Sequence, residues 1–270
     1  MSGRATRERR LAVNLSLIFT EIPLLARFDA AAALGFNGVE IQFPYEESPG
    51  DLKLAAERAG VEIALFNVPA GDLMTGGPGL AGCPGREAAF EAALEQCARY
   101  VDALKPDCVN VLGGRVGDGQ TREQCLDTFV CNIERARHRL KPYGVTTVFE
   151  AINRHDVPGS LISTTAEQLD ILRRLADPDV RLQIDLYHMA RMGEVFPLAL
   201  PEALPHTAHI QFADVPGRNE PGTGSLDFSA AFALIAQSEY AGWLAAEYRP
   251  GDESGSSFDW LRRQPFSDYA

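Results

Sequence analysis

TTVFE (146–150), RLQID (181–185), AHIQF (208–212) and WLAAE (243–247) are the four segments on which the reading of this chain turns. Each is a short apolar run that ends in, or in the third case nearly ends in, a side chain that can offer oxygen to a ligand: Glu150, Asp185, Gln211 and Glu247. Side chains alternate between the two faces of a strand. Glu150 therefore shares a face with Val148, Asp185 with Gln183, Gln211 with His209 and Glu247 with Ala245. Any one of these acids alone reads equally well as a helix cap or as the partner of an arginine. Four successive strands with the same ending are not explained that way.

Outward from these segments, further β-rich runs occupy 11–19, 39–43, 61–67 and 108–112, and the later ones extend over 145–150, 180–185, 207–212 and 243–248. Segments of helical period lie between them, among them 86–104, 123–140, 166–175 and 230–236. Thr121, Thr165 and Asp227 or Ser229 stand where N-caps belong, and Gly35, Gly60, Gly144 and Gly242 stand where a left-handed residue would end a helix before the next strand. Strand–helix units repeated in this way fit a closed barrel or an open doubly wound sheet. No GxGxxG or GxxxxGKS/T follows the first strand, so the nucleotide signature of the open sheet is missing. Polar groups instead gather at the carboxyl ends of many strands, the face on which a barrel builds its site. The expected fold is α/β, a single-domain (β/α)8 TIM barrel over 11–263, with a flexible N-terminal segment 1–10 and a C-terminal tail 264–270.

Composition narrows the partners. A formal charge of −12 over 270 residues opposes binding to a phosphate backbone, which depends on clustered Lys and Arg. The basic cluster Arg4, Arg7, Arg9 and Arg10 precedes the first strand and reads as a frayed terminus. No apolar run reaches the roughly 18 residues that span a bilayer, and the first residues lack a signal-peptide core, so no membrane partner and a cytoplasmic location are expected. Cys83, Cys97, Cys108, Cys125 and Cys131 are scattered without CxxC spacing and read as reduced thiols, Cys125 and Cys131 as packing residues.

If the four strand ends face one barrel mouth, three carboxylates and an amide converge there. Buried negative charges so close together call for a positive group at their centre, and a hard divalent ion, Mg2+ or Mn2+, suits oxygen donors. Asn153, Arg154, His155 and Asp156 follow the Glu150 strand, His188 follows Asp185, and the loop DVPGRNEPGTG (214–224) carries Arg218, whose fork suits a carboxylate or phosphate. His138, on a helix amid arginines, reads as a surface residue.

The strings NLSLIFTEIPLLARFDAAAALGFNGVEIQFPY (14–45), FNVPAGD (66–72), PGREAAF (84–90), FEAINRHDVPG (149–159), QIDLYHMARM (183–192), HIQFADVPGRNEPGTG (209–224) and EYRP (247–250) together resemble the hydroxypyruvate isomerase family, within the xylose-isomerase-like barrel superfamily. The resemblance implies one divalent metal ion held by Glu150, Asp185, Gln211 and Glu247, with Glu150 and Glu247 as the catalytic acid/base pair. It implies substrate contacts from His188 and Arg218, to which Asp156 and Asn67 of the matching motifs are added. Ketose 3-epimerases look similar but commonly carry His in place of Gln211, and the pattern departs from the family's at Arg249, Ser225 and Ala190.

The implied reaction is aldose–ketose isomerisation of a small hydroxy-carbonyl acid, in the simplest case hydroxypyruvate to tartronate semialdehyde, by glutamate-mediated proton transfer through an enediolate. A 2-oxotetronate isomerase and a ketose 3-epimerase are the alternatives, and a metal-dependent AP-endonuclease-like hydrolase a remote one. No nicotinamide or pyridoxal motif is present. Assembly as a homo-oligomer is left open.

Overall fold

The computed structural model describes residues 10–251 and 257–268. The strands are β1 (Leu11–Asn14), β2 (Gly38–Ile41), β3 (Glu62–Asn67), β4 (Cys108–Asn110), β5 (Thr146–Glu150), β6 (Val180–Asp185), β7 (Thr207–Phe212) and β8 (Trp243–Ala246). All are parallel, and they close as β1-β2-β3-β4-β5-β6-β7-β8 with β8 returning to β1. The helices are α1 (Leu24–Ala33), α2 (Pro49–Ala59), α3 (Glu87–Leu104), α4 (Arg122–Leu140), α5 (Thr165–Leu175), α6 (Leu186–Arg191), α7 (Phe196–Ala203) and α8 (Phe228–Gln237). The architecture is the expected (β/α)8 barrel.

Both faces of the strands are covered, so they read as near-continuous apolar runs. Phe149 leaves β5 toward the helices and packs edge-on against Phe129 of α4, whereas its neighbour Val148 faces inward with Leu65 and Cys108. That alternation sends Glu150 inward. Lower in the barrel Trp243 fills the interior, and a Cβ on Gly38 would lie 2.3 Å from its ring. Arg10 stacks over that ring at 4.1 Å and pairs with Asp107, which also accepts from Trp243 Nε1 at 2.7 Å. Arg10 is thus tied to the barrel floor and does not belong to a frayed end. Arg4, Arg7, Arg9 and the expected flexible stretch 1–9 lie outside the described residues.

At the other end of the chain, Phe266 is buried against Phe212, Phe228, Phe232 and Trp260. The packed unit therefore continues past the expected boundary at 263, because the α8 side of the barrel needs that aromatic cover. β1 stops at Asn14, short of the expected 19, and the residues after it turn over the barrel mouth, with Phe19 at φ 60°.

Helix punctuation mostly follows the expected residues. Thr121 forms a capping box with Gln124, and Asp227 accepts from Ala230 N. The cap of α5 is Thr164, not Thr165, whose own backbone N–H is taken by the Glu194 carboxylate. Gly35, Gly60 and Gly144 have positive φ as expected, but Gly242 does not. Gly242 is glycine for space: a Cβ there would sit 2.2 Å from the Ala208 carbonyl oxygen.

Candidate active site

At the carboxyl ends of the strands lies a cavity of about 540 Å³ whose wall includes Glu150, Gln211, Glu247, His188, Asp156 and Arg218. Glu150, Asp185, Gln211 and Glu247 are all buried. Burial raises the Glu150 pKa well above the carboxylate range, and the nearby charges of Glu247 and Asp185 add to it. Burial also lifts Asp185 to about 6 and Glu247 to about 7, against the pull of Arg218. Asp185 Oδ1 accepts from Tyr187 N at 2.8 Å and so caps α6, leaving Oδ2 for the site. Helix capping and site chemistry coexist in one carboxylate.

Arg218 Nη2 donates to Glu247 Oε2 at 2.5 Å and to Asp185 Oδ2 at 3.3 Å. Burial works against its charge, but Glu247, Asp185 and Glu150 outweigh that and raise its pKa. Its backbone is left-handed, φ 58°, a conformation that costs a non-glycine residue energy and persists only where the surroundings impose it. Here they do. Both oxygens of Asp214 accept backbone N–H groups, from Val215 and Leu226 on one and from Gly222 and Gly224 on the other, winding the loop around a single carboxylate. The Arg218 carbonyl then accepts from Arg249 N at 2.7 Å.

Ligand atoms of Glu150, Asp185 and His188 lie within 4.8 Å of one another, a grouping that can hold a metal ion. The protonation of His188 decides its part. Asn153 Oδ1 accepts from His155 N and Asp156 N, which commits its amide nitrogen to donate; that nitrogen lies 2.6 Å from His188 Nδ1. Nδ1 is therefore an acceptor, and the ring proton sits on Nε2, which faces Asp185 Oδ2 at 3.5 Å and Glu150 Oε1 at 3.6 Å. Burial, with Arg218 and Arg191, holds the imidazole neutral by lowering its pKa well below the usual value. His188 thus turns an N–H and no lone pair toward the two carboxylates, and among the described residues Glu247 lies outside the grouping of Glu150, Asp185 and His188. Once deprotonated, three buried carboxylates facing one guanidinium would leave negative charge in excess, so these residues fit a hard divalent cation.

Other polar groups were not singled out by sequence. Glu247 Oε1 accepts from Asn14 Nδ2 at 3.0 Å and Gln42 Nε2 at 2.8 Å, and Glu150 Oε2 accepts from Asn110 Nδ2 at 3.3 Å. Gln211 donates to Glu40 Oε1 at 2.7 Å and accepts from Gln183 Nε2 at 2.5 Å. Gln183 and His209 were readable as inward-facing from strand alternation; Asn14, Glu40, Gln42 and Asn110 carried the same signal, a polar residue at an inward strand position. Among the expected substrate contacts, Asp156 receives Tyr187 OH at 2.7 Å and Asn153 Nδ2 at 3.0 Å. Burial opposes its ionisation, yet these bonds, with Arg191 and Arg218, hold it below the usual range. Asn67 lines the cavity, its carbonyl taken by Tyr45 OH at 2.6 Å.

Residues 28–264 match the family model described as xylose isomerase-like TIM barrel. The chain is similar to the hydroxypyruvate isomerase of Escherichia coli, 35% identical over 252 residues that cover 93% of this chain and 98% of that protein. It is likewise similar to the 2-oxo-tetronate isomerase of Cupriavidus necator, 33% identical over 253 residues, 94% of this chain and 97% of that one. A crystal structure described as an AP endonuclease, family 2, from Brucella melitensis superposes with a TM-score of 0.89 at 33% identity, covering 94% of this chain and 98% of that one.

Proposed function

The chain belongs to the xylose isomerase-like TIM barrel family, and on that premise we propose that it is an isomerase of small hydroxy-oxo acids, converting hydroxypyruvate to tartronate semialdehyde. The observation that carries this reading is the pair of buried glutamates, Glu150 and Glu247, lining one cavity on different strands with raised pKa values. A carboxylate shifted toward neutrality both takes and returns a proton near neutral pH.

In hydroxypyruvate the hydroxyl-bearing carbon adjoins the carbonyl. One glutamate removes a proton from that carbon, giving an enediolate, and the other delivers a proton to the former carbonyl carbon. The hydroxyl proton passes to the former carbonyl oxygen, so the product has the composition of the substrate. The neutral His188, with its proton on Nε2, donates to a substrate oxygen as charge develops there. Arg218 spends Nη2 on Glu247 and Asp185 and its Nε is buried, which leaves Nη1 to orient the acid. Asp156 and Asn67 complete the wall. Glu150, Asp185, Gln211 and Glu247 would hold a divalent ion, Mg2+ or Mn2+, which would supply Lewis acidity at this site.

The four-carbon 2-oxotetronate is the close alternative substrate, supported by the name of the Cupriavidus relative. A nuclease reading draws on the name of the Brucella structure, but a charge of −12 opposes it. The test is to incubate the manganese-loaded protein with a panel of three- to six-carbon hydroxy-carbonyl compounds in deuterated water and follow exchange by NMR. Glu150→Gln and Glu247→Gln are expected to keep the wild-type circular dichroism while kcat drops by about 10²–10⁴-fold. Full turnover by either variant, or an acid panel left untouched by the unaltered protein, sinks the assignment.

A further inference from the structure

Beneath the proposed ligands sits a fourth acid that the mechanism does not use. Glu40, on β2, is completely buried, and both its oxygens are engaged. Oε2 lies 2.7 Å from His209 Nε2, while Oε1 accepts from Asn14 Nδ2 and from Gln211 Nε2, each at 2.7 Å. Burying a further carboxyl group beside three other acids is costly. A merely structural acceptor would be cheaper as an amide.

The geometry points to Glu40 as a positioning residue of the metal site, holding Gln211 and Glu247 in the orientation that binds a divalent cation and contributing its own charge to that binding. A carboxylate only accepts hydrogen bonds, so it can receive the NH2 end of Gln211 but not its carbonyl end. Gln211 Oε1 is thereby turned away from β2, on the side where Gln183 Nε2 meets it at 2.5 Å and where both amides line the cavity. The same Glu40 oxygen holds the amide nitrogen of Asn14, and that nitrogen also donates to Glu247 Oε1 at 3.0 Å. One buried oxygen atom on β2 thus sets a side chain on β7 directly and one after β8 through a single intermediary. His209 Nδ1 is buried without a hydrogen-bond partner, so the Glu40–His209 contact is the imidazole's polar anchor.

This inference rests on the reading that Glu150, Asp185, Gln211 and Glu247 hold the ion, and the experiment separates the two. Mn2+ is titrated into the metal-free full-length chain with no substrate, free Mn2+ being followed by electron paramagnetic resonance. The unaltered protein, Glu40→Gln and Glu40→Leu are compared, and the metal-free thermal transition of each is recorded. Glu40→Gln keeps the shape but removes the charge and gives position 40 a donor of its own; Glu40→Leu removes the acceptor altogether. Outer-sphere partners of metal ligands are worth about 10–100-fold in affinity, so Kd is expected to rise about 10-fold in Glu40→Gln and further in Glu40→Leu. With saturating Mn2+, kcat of Glu40→Gln is expected to return toward the unaltered value, as suits a residue that acts through others. A Kd in Glu40→Gln within about twofold of the unaltered protein overturns the inference, as does a lowered thermal transition with no change in Kd. Should Glu40→Leu fail to fold, Glu40→Gln alone decides. Failure of the unaltered chain to bind Mn2+ overturns the ligand assignment itself.

Discussion

Asp185 and Glu247, lifted to about 6 and about 7, tie the protonation of single residues to measurable behaviour. Their pKa values in the unfolded chain are about 3.9 and 4.3, so between those values and the raised ones the folded, metal-free protein binds more protons than the unfolded one. The stability contributed in this way is complete below the unfolded values and is lost as pH rises through about 6 to 7. Melting temperature in chelator is therefore expected to fall between about pH 5 and pH 8. Mn2+ affinity should run the opposite way, because ligands must give up their protons to bind, and weaken as pH drops below about 7. Thermal scans and Mn2+ titrations across that interval check both signs; two flat profiles would refute the burial argument. The strand-terminal residues could be singled out in the sequence because each follows an apolar run. The tautomer of His188 could not, because it depends on how Asn153, 35 residues away, spends its amide oxygen.

The helices and strands form from signals that are local, and at the start of α5 the missed expectation has a local cause too. The run Ser163-Thr164-Thr165 offers three hydroxyls for one cap, and only the backbone path decides that Thr164 takes it. α4 begins with a capping box in which Thr121 accepts from Gln124 N at 3.2 Å and Gln124 Oε1 accepts from Thr121 N at 2.9 Å. Thr121→Ala is expected to destabilise the protein by about 1 kcal/mol in urea unfolding. Because Thr121 is exposed and does not line the cavity, kcat/KM should be unchanged; a matching loss of activity would mean that α4 is coupled to the site. Gly242 shows the opposite limit. Its position after a helix suggested a left-handed turn, whereas the actual demand is for room beside the Ala208 carbonyl, which a single segment does not reveal.

At the scale of the whole molecule, the closed barrel brings together groups far apart along the chain and gathers buried acids at its mouth that give up their protons when a cation binds. An ion that binds this arrangement and not the unfolded chain must stabilise the fold, by about 2.7 kcal/mol at a hundredfold excess over Kd. Differential scanning calorimetry with and without Mn2+ is expected to show a rise of several degrees, lost in Asp185→Ala; an equal rise in that variant would locate the ion elsewhere. From the residues alone came the alternation of strands and helices, the barrel, and the polar side chains at the strand ends, since hydrophobic period and strand-end chemistry are written in neighbouring positions. Tertiary structure alone decided that Glu40 faces Gln211 across 171 positions, that Asn14 reaches Glu247 across 233, and that Arg10 closes the floor against Asp107 and Trp243. Such contacts, and the proton affinities that follow from them, depend on distance and burial in space, and those exist only once the sheet has closed.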